Sequence, residues 1–407
     1  MKQCISKTFR SISEAFAKKW KYIYFMILVT EACALTLMFY RMLLGEQHSD
    51  LDDHLSSALQ TKYHYSINHY IIRLLYDNDR PMLIAIFFAI VSILTPLALY
   101  KLFKCIAQLL NLKTNEIALH FTSLGITLMS ALYIPAIVPN FYKGTLNFNP
   151  WHNDTYTTMR LFMIIALIFF FRIFCNYMDR KVNAVDYFML TAVLFISTWC
   201  KPSFMLAFAP AMLLVLIVDL IRSRKEKNVL GKVILFGLTA VPAGIMVIYQ
   251  WLKIYVMREN ITTNIAVGSA NTVAYGAILT KIALMSIIPI LVLIYNAFND
   301  NSVIKNRIYG FVWLLFLFGT FWYTFVRETG ARASHGNFGW GIKCVAFVLF
   351  ALSMLLFLHN FIGRKTAKGK KWIVNTYSVI VISLFSYQVL TGIYYLLRVF
   401  VGNNYYC

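Results

Sequence analysis

Charge is scarce in this sequence of 407 residues, and acidic charge scarcest: 14% of positions are charged and only 17 are Asp or Glu. A soluble domain usually carries about 25% charged residues, so a chain this poor in charge and 59% hydrophobic is not built for a water-facing surface. The seven cysteines, at positions 4, 33, 105, 175, 200, 344 and 407, have no metal-site or redox spacing, so neither a disulfide framework nor a cysteine metal centre is read from them. No glycine-rich phosphate loop is present, which removes support for nucleotide hydrolysis or a folded nucleotide-sugar domain. Low-complexity tracts, an inverted repeat of the transporter kind and a separate soluble domain are also missing. Residues 1–407 therefore read as a single integral membrane domain.

What is present is a succession of apolar runs. Each is roughly 17–25 residues long, the length a helix needs to cross the hydrocarbon core, and the mean hydropathy is +0.64. Eleven spans are expected, at about 22–44, 82–102, 116–137, 159–177, 184–200, 203–221, 232–251, 278–297, 308–326, 341–361 and 373–398. The fold class is all-α, a polytopic transmembrane helical protein. The basic segment before the first span resembles a signal peptide, but the span is too long and lacks a small-residue cleavage site, so a retained first helix is expected. The formal net charge of +21 would point to nucleic acid in a soluble protein. Here, with the N-terminus placed inside, well over half of the 38 Lys and Arg fall in short inner loops, a positive-inside pattern. No nucleic-acid partner is needed to explain them.

The outer segments are longer and hold the unusual polar motifs. The first, residues 45–81, has helical patterning of its own and reads as amphipathic helices lying on the membrane surface. It begins Ser49-Asp50-Leu51-Asp52-Asp53-His54. If this starts a helix, Asp50, Asp53, His54 and Ser57 share a face, with Leu51, Leu55, Ala58 and Leu59 beside it and Asp52 swung away. A charged helix cap would use the same residue types. Further on, His64-Tyr65-Ser66-Ile67-Asn68-His69-Tyr70 leads into a second short helix.

The second outer loop contains Asn149-Pro150-Trp151-His152-Asn153-Asp154-Thr155, and Pro150 biases Asn149 away from helix. Trp151 offers an apolar face and His152 and Asn153 offer hydrogen bonds, which are the parts of a sugar site. Lys201-Pro202-Ser203 joins two spans with almost no loop. An ionisable group so placed usually faces the protein interior or an aqueous cavity, and an ammonium suits a phosphate. Glu31, deep in the first span, is read as a structural hydrogen-bonding group. The fifth outer loop, Arg327 to Gly341, has four glycines that let backbone approach a ligand and two arginines, Arg327 and Arg332, whose forked donors fit phosphate oxygens. His335, Asn337 and Trp340 add polar and stacking groups.

With these motifs in order, the chain resembles the polytopic GT-C glycosyltransferases, membrane enzymes that take a sugar from a polyprenyl-phosphate carrier. In that superfamily an acidic motif follows the first span, and Ser49-Asp50 through His54 matches its placement. His64–Tyr70, Trp151-His152-Asn153, Lys201-Pro202-Ser203 and His335-Gly336-Asn337-Phe338-Gly339-Trp340-Gly341 look like signatures of one group of uncharacterised bacterial members. Many relatives carry a soluble outer domain after the spans. Its absence here puts acceptor recognition in the loops.

The resemblance implies transfer of a sugar from a polyprenyl-phosphate-linked donor to a glycan, lipid-linked or protein acceptor, at the outer face of a bacterial inner membrane. It implies Asp50 as the base, Asp53 as second choice, and His54 as the group that orients Asp50 or binds phosphate. Lys201 with Arg327 or Arg332 would hold the carrier phosphate, while His69, Trp151, His152, Asn153, His335, Asn337 and Trp340 would line the sugar pocket. Some members of the superfamily use a divalent metal, but the ligand set here is incomplete and no metal or other cofactor is assigned. The competing readings are a transporter or flippase for lipid-linked saccharides and a polymerase acting on the same carriers.

Overall fold

The computed structural model describes residues 2–47, 49–60, 64–76, 81–138, 141, 145–225, 227–257, 263–268, 275–299, 301–333, 336–363 and 371–402. It is an all-α bundle whose one sheet, among the described residues, is a two-stranded ribbon. Eight helices are long and apolar enough to cross a membrane. They belong to α1 (Lys2–Leu43), α4 (Met82–Leu109), α6 (Asp154–Phe174), α8 (Ser203–Arg222), α11 (Tyr275–Asn299), α13 (Arg307–Phe325), α14 (Gly339–Gly363) and α15 (Lys371–Phe400). The pair α9 (Val229–Leu238) and α10 (Val241–Trp251) meets at a bend of 41°. A π-helical turn, Leu252–Val256, continues α10. Two apolar helices are shorter, α5 (Glu116–Leu128) and α7 (Ala184–Cys200). The protein is thus a polytopic membrane protein of helical class.

α14 is the axis of the bundle. Its most apolar window is 89% buried inside the protein, against 22% for α15. It packs on α13, α11, α8 and α5, and Phe347, Leu349, Phe350 and Leu355 form the centre of the main core. A helix apolar on all sides belongs at such a centre.

The expected third span does not continue as helix to residue 137. α5 stops at Leu128, and its 13 residues reach about 20 Å at 1.5 Å per residue, short of a ~30 Å hydrocarbon core. The chain then runs along α15, where Ser130 N–H donates to the Gln388 carbonyl at 2.9 Å and Gln388 Nε2 donates to the Ser130 carbonyl at 3.2 Å. Asn149 Nδ2 donates to the freed carbonyls of Ile126 and Met129, at 3.0 and 2.6 Å. Helix ends need such partners when they are buried.

Between α1 and α4 lie two short helices, α2 (Asp50–Gln60) and α3 (Ile67–Leu75), as the sequence pattern predicts for residues 45–81. Ser66 caps α3, its hydroxyl accepting from Asn68 N–H. The ribbon pairs β1 (Ile265–Val267) with β2 (Val326–Glu328), antiparallel, Ile265 opposite Glu328. A short helix, α12 (Asn301–Ile304), precedes α13, and a 3-10 turn, Gly330–Arg332, follows β2.

Candidate functional site

The N-terminus of α6 is the seat of the site. Asn153 caps the helix, its Oδ1 accepting from Tyr156 N–H at 2.8 Å. The other end of that amide, Nδ2, donates to Asp50 Oδ2, and Asp50 N–H donates to the His152 carbonyl at 3.0 Å. The first turn of α2 is therefore fastened to the first turn of α6 by both side chain and backbone. The following residue, Asp154, pairs with His54 Nδ1, and its second oxygen accepts from Asn68 Nδ2 at 2.9 Å.

Cations lie beside these acids. Lys201 Nζ donates to Thr155 Oγ1 at 3.3 Å and Asn153 Oδ1 at 3.4 Å, and sits 4.6 Å from the centre of the Trp340 ring. Lys343 Nζ sits 4.2 Å from the same ring centre. Arg332 lies within electrostatic reach of Lys201, and Lys281 within reach of Lys343. Tyr156 and His152 pack against Trp340 with ring centroids 5.4 and 6.1 Å away. A carboxylate–imidazole cluster thus meets a cation–aromatic cluster at one end of the bundle.

Burial acts on the titration of each group. It disfavours the charged form of His54, but the carboxylates of Asp154 and Asp50 outweigh it, and the His54 pKa is raised. His69 is pushed down to about 3, by burial first and by the neighbouring His54 second. Its ring packs edge-on against His54, His64 and Tyr65, and among the described residues neither ring nitrogen has a hydrogen-bond partner. Burial also lowers the Lys201 pKa against the pull of Asp50 and Asp154.

Of the residues singled out in sequence, Asp50, His54, His69, His152, Asn153, Lys201 and Trp340 come together here. Asp53 does not. Leu51 and Ala58 are the buried residues of α2 and set its inward direction. At ~100° per residue, His54 lies about 50° from that direction, Asp50 about 90° and Asp53 about 150°. Asp53 is accordingly exposed, and it is Asp52 that has a buried carboxylate oxygen. Trp151 packs in the apolar cluster of Phe39, Leu51, Ile72 and Phe88, joining α1 to α4 rather than facing Lys201. Arg327, on β2, lies over Gly268, where a Cβ would come 3.1 Å from its Nε. Arg332 pairs with Glu328 at 3.0 Å, and Glu328 also accepts from Tyr255 Oη at 2.6 Å and from Asn337 Nδ2. Asn337 therefore holds the loop through Glu328. His335 lies outside the described residues.

Three site residues escaped the sequence reading. Asp154 stood in a quoted motif of the second outer loop, five residues before the expected span at 159, and was given no role. Asn68 sat within a quoted motif but without a role. Lys343 had a signal, since an ammonium in the first turn of an apolar run is a functional candidate. Among the described residues no three His, Cys, Asp or Glu side chains converge as a metal-ligand set. A groove of about 590 Å³ between α8 and α9, lined by Leu220, Ile221, Arg224, Asn228, Val229 and Leu230, lies at the opposite end of the bundle and lacks acid–base groups. Compared with the known families and the curated proteins, the chain matches no family model and no curated protein.

Proposed function

We propose that this protein is a membrane glycosyltransferase of GT-C type, moving a sugar from a polyprenyl-phosphate donor to a glycan, lipid or protein acceptor. The observation that carries the reading is the meeting of Asp50 and His54 with Lys201 over the Trp340 ring. Transfer from a lipid phosphate needs both halves. A base takes the proton of the attacking hydroxyl, and cations stabilise the charge that grows on the phosphate as the glycosidic bond breaks. Lys201, Lys343 and Arg332 supply the cations, while His152, beside Trp340, faces the sugar. The site end of the bundle is then the outer face of a bacterial inner membrane.

Buried Arg160 gives a second reading its one support. Its guanidinium lies inside the bundle, bonded to Asn149 Oδ1 and within electrostatic reach of Glu31. A transporter or flippase of lipid-linked saccharides uses polar groups within the spans. The deciding experiment is mass spectrometry of surface glycans and lipid-linked sugars from cells with and without the protein. A transferase deletion removes one sugar from the glycan and leaves its lipid-linked donor to accumulate. Unchanged glycans would sink the transferase reading, and a whole saccharide stranded on the inner leaflet would favour the transporter.

A further inference from the structure

The site holds two groups able to take a proton from a hydroxyl, and the fold treats them differently. Asp50 has one oxygen committed to Asn153. His54 has one nitrogen, Nδ1, committed to Asp154, which leaves Nε2 for a substrate hydroxyl. Asp154 is itself held from two sides, because Asn68 Nδ2 reaches both its Oδ2, at 2.9 Å, and Thr158 Oγ1, at 3.1 Å. The His69 ring lies edge-on at 5.0 Å between centroids and limits rotation of the imidazole. The Asp154 side chain has no accessible surface, whereas that of His54 keeps 15%. A ligand reaches the ring and cannot reach the carboxylate.

We propose that His54 is the general base of this site and that Asp154, fixed by Asn68, is its positioning residue. The proposal rests on the transfer reading above and names the proton acceptor within it. With Nδ1–H donated to Asp154, the acceptor O–H bond breaks and its proton goes to His54 Nε2. The acceptor oxygen bonds to the anomeric carbon. The bond from that carbon to the phosphate oxygen breaks, its electron pair staying on the phosphate, and the imidazolium later gives its proton to water. Asp50 then serves as a nearby negative charge that favours the imidazolium.

The groups facing His54 are Asp50 on its own helix, His69 on α3 with His64 behind it, Asp154 on α6 and Lys201 between α7 and α8. The acids outweigh burial and Lys201, so the ring stays protonated above the ordinary imidazole value of about 6.5. A base must be neutral to act. Transfer should therefore fall on the acid side, with a limb set by a pKa above that value.

The test uses the purified protein in lipid nanodiscs, supplied with lipid-linked sugars extracted from native membranes, and follows release of polyprenyl phosphate between about pH 5 and 9. Binding of polyprenyl phosphate alone is measured beside it. His54→Asn should lower kcat by about 10²–10⁴-fold and leave probe binding intact. Asp154→Asn should lower kcat and move the acid limb to lower pH, with partial recovery in Asp154→Glu. A merely structural ion pair would not move that limb. If Asp154→Asn does not fold, Asn68→Ala loosens the same carboxylate and should shift the limb in the same direction. Wild-type transfer with His54→Asn equally active, or with the limb unmoved in the Asp154 and Asn68 variants, overturns the dyad alone. A wild-type protein that neither binds the probe nor releases it overturns the transfer reading and the dyad with it.

Discussion

Lys201 and Lys343 rest on one indole, that of Trp340, at 4.6 and 4.2 Å from its centre. They come from different elements, Lys201 from the turn before α8 and Lys343 from the second turn of α14. Trp340 offers each a cation–π contact, but two ammonium groups at one site repel each other, and an anion between them would relieve that. Lys201→Ala and Lys343→Ala should each weaken polyprenyl phosphate binding by about 10–100-fold, the value of a hydrogen bond to a charged group. The double variant should lose less than the sum, since the two share a ligand. Binding of uncharged polyprenol is the control and should not change. Equal losses for both lipids would remove the phosphate role.

Asp50→Asn should lower transfer and move its acid limb to lower pH, since a charge that favours the His54 imidazolium is lost, while expression and membrane insertion stay intact because Asn still has an oxygen to accept from Asn153 Nδ2. Asp53→Asn, three residues on but exposed, should leave activity near that of the unaltered protein. The comparison is made in cells lacking the native gene, reading the surface glycan. Full activity in Asp50→Asn would remove Asp50 from the mechanism, and loss in Asp53→Asn would mean that α2 reorients in use.

The contrast between Asp50 and Asp53 marks what sequence reasoning reaches. Apolar runs announced α1, α4, α6 and α14 because crossing a bilayer demands length and apolarity together. Helical spacing grouped Asp50, Asp53 and His54 correctly relative to one another. It could not set the rotation of α2, which depends on where Leu51 and Ala58 find apolar partners in other helices. The end of α5 at Leu128 escaped for the same reason, since Asn149, distant in sequence, donates to its freed carbonyls, and Gln388 pairs with the backbone of Ser130 just beyond it. Asp154 became visible only when His54 and Asn68, 100 and 86 residues away in sequence, were seen beside it.

His69 makes the fold sensitive to acid. Its folded pKa is about 3, while an unfolded chain protonates it near 6.5. Between those values the unfolded state binds a proton that the fold refuses, so stability falls with pH by about 1.4 kcal/mol per pH unit from this group. His54 acts in the opposite sense. Its pKa is raised on folding, so its contribution is full below the unfolded value and is lost as pH rises through the folded one. His69→Phe keeps the ring contacts and removes the proton site. The difference in thermal midpoint between about pH 5 and pH 7 should shrink in that variant, measured in detergent. An undiminished difference would place the acid sensitivity elsewhere.

Gly392 of α15 tests the path of the chain after α5. A Cβ there would lie 2.0 Å from the Leu128 carbonyl oxygen and 2.6 Å from the Met129 carbonyl carbon, both backbone atoms. That close approach lets Ser130 reach Gln388 and bond Thr391 Oγ1 at 2.7 Å. Gly392→Ala forces the two segments apart, and overpacking of this kind costs about 1–3 kcal/mol, to which the strained Ser130 bonds add. The variant should melt well below the unaltered protein and accumulate poorly in membranes. Gly244→Ala, where a Cβ meets nothing within 4 Å, should match or slightly exceed the parent, because alanine suits a helix better than glycine. If Gly392→Ala were as stable as Gly244→Ala, residues 129–132 would not run against α15, and the early end of α5 would need another cause.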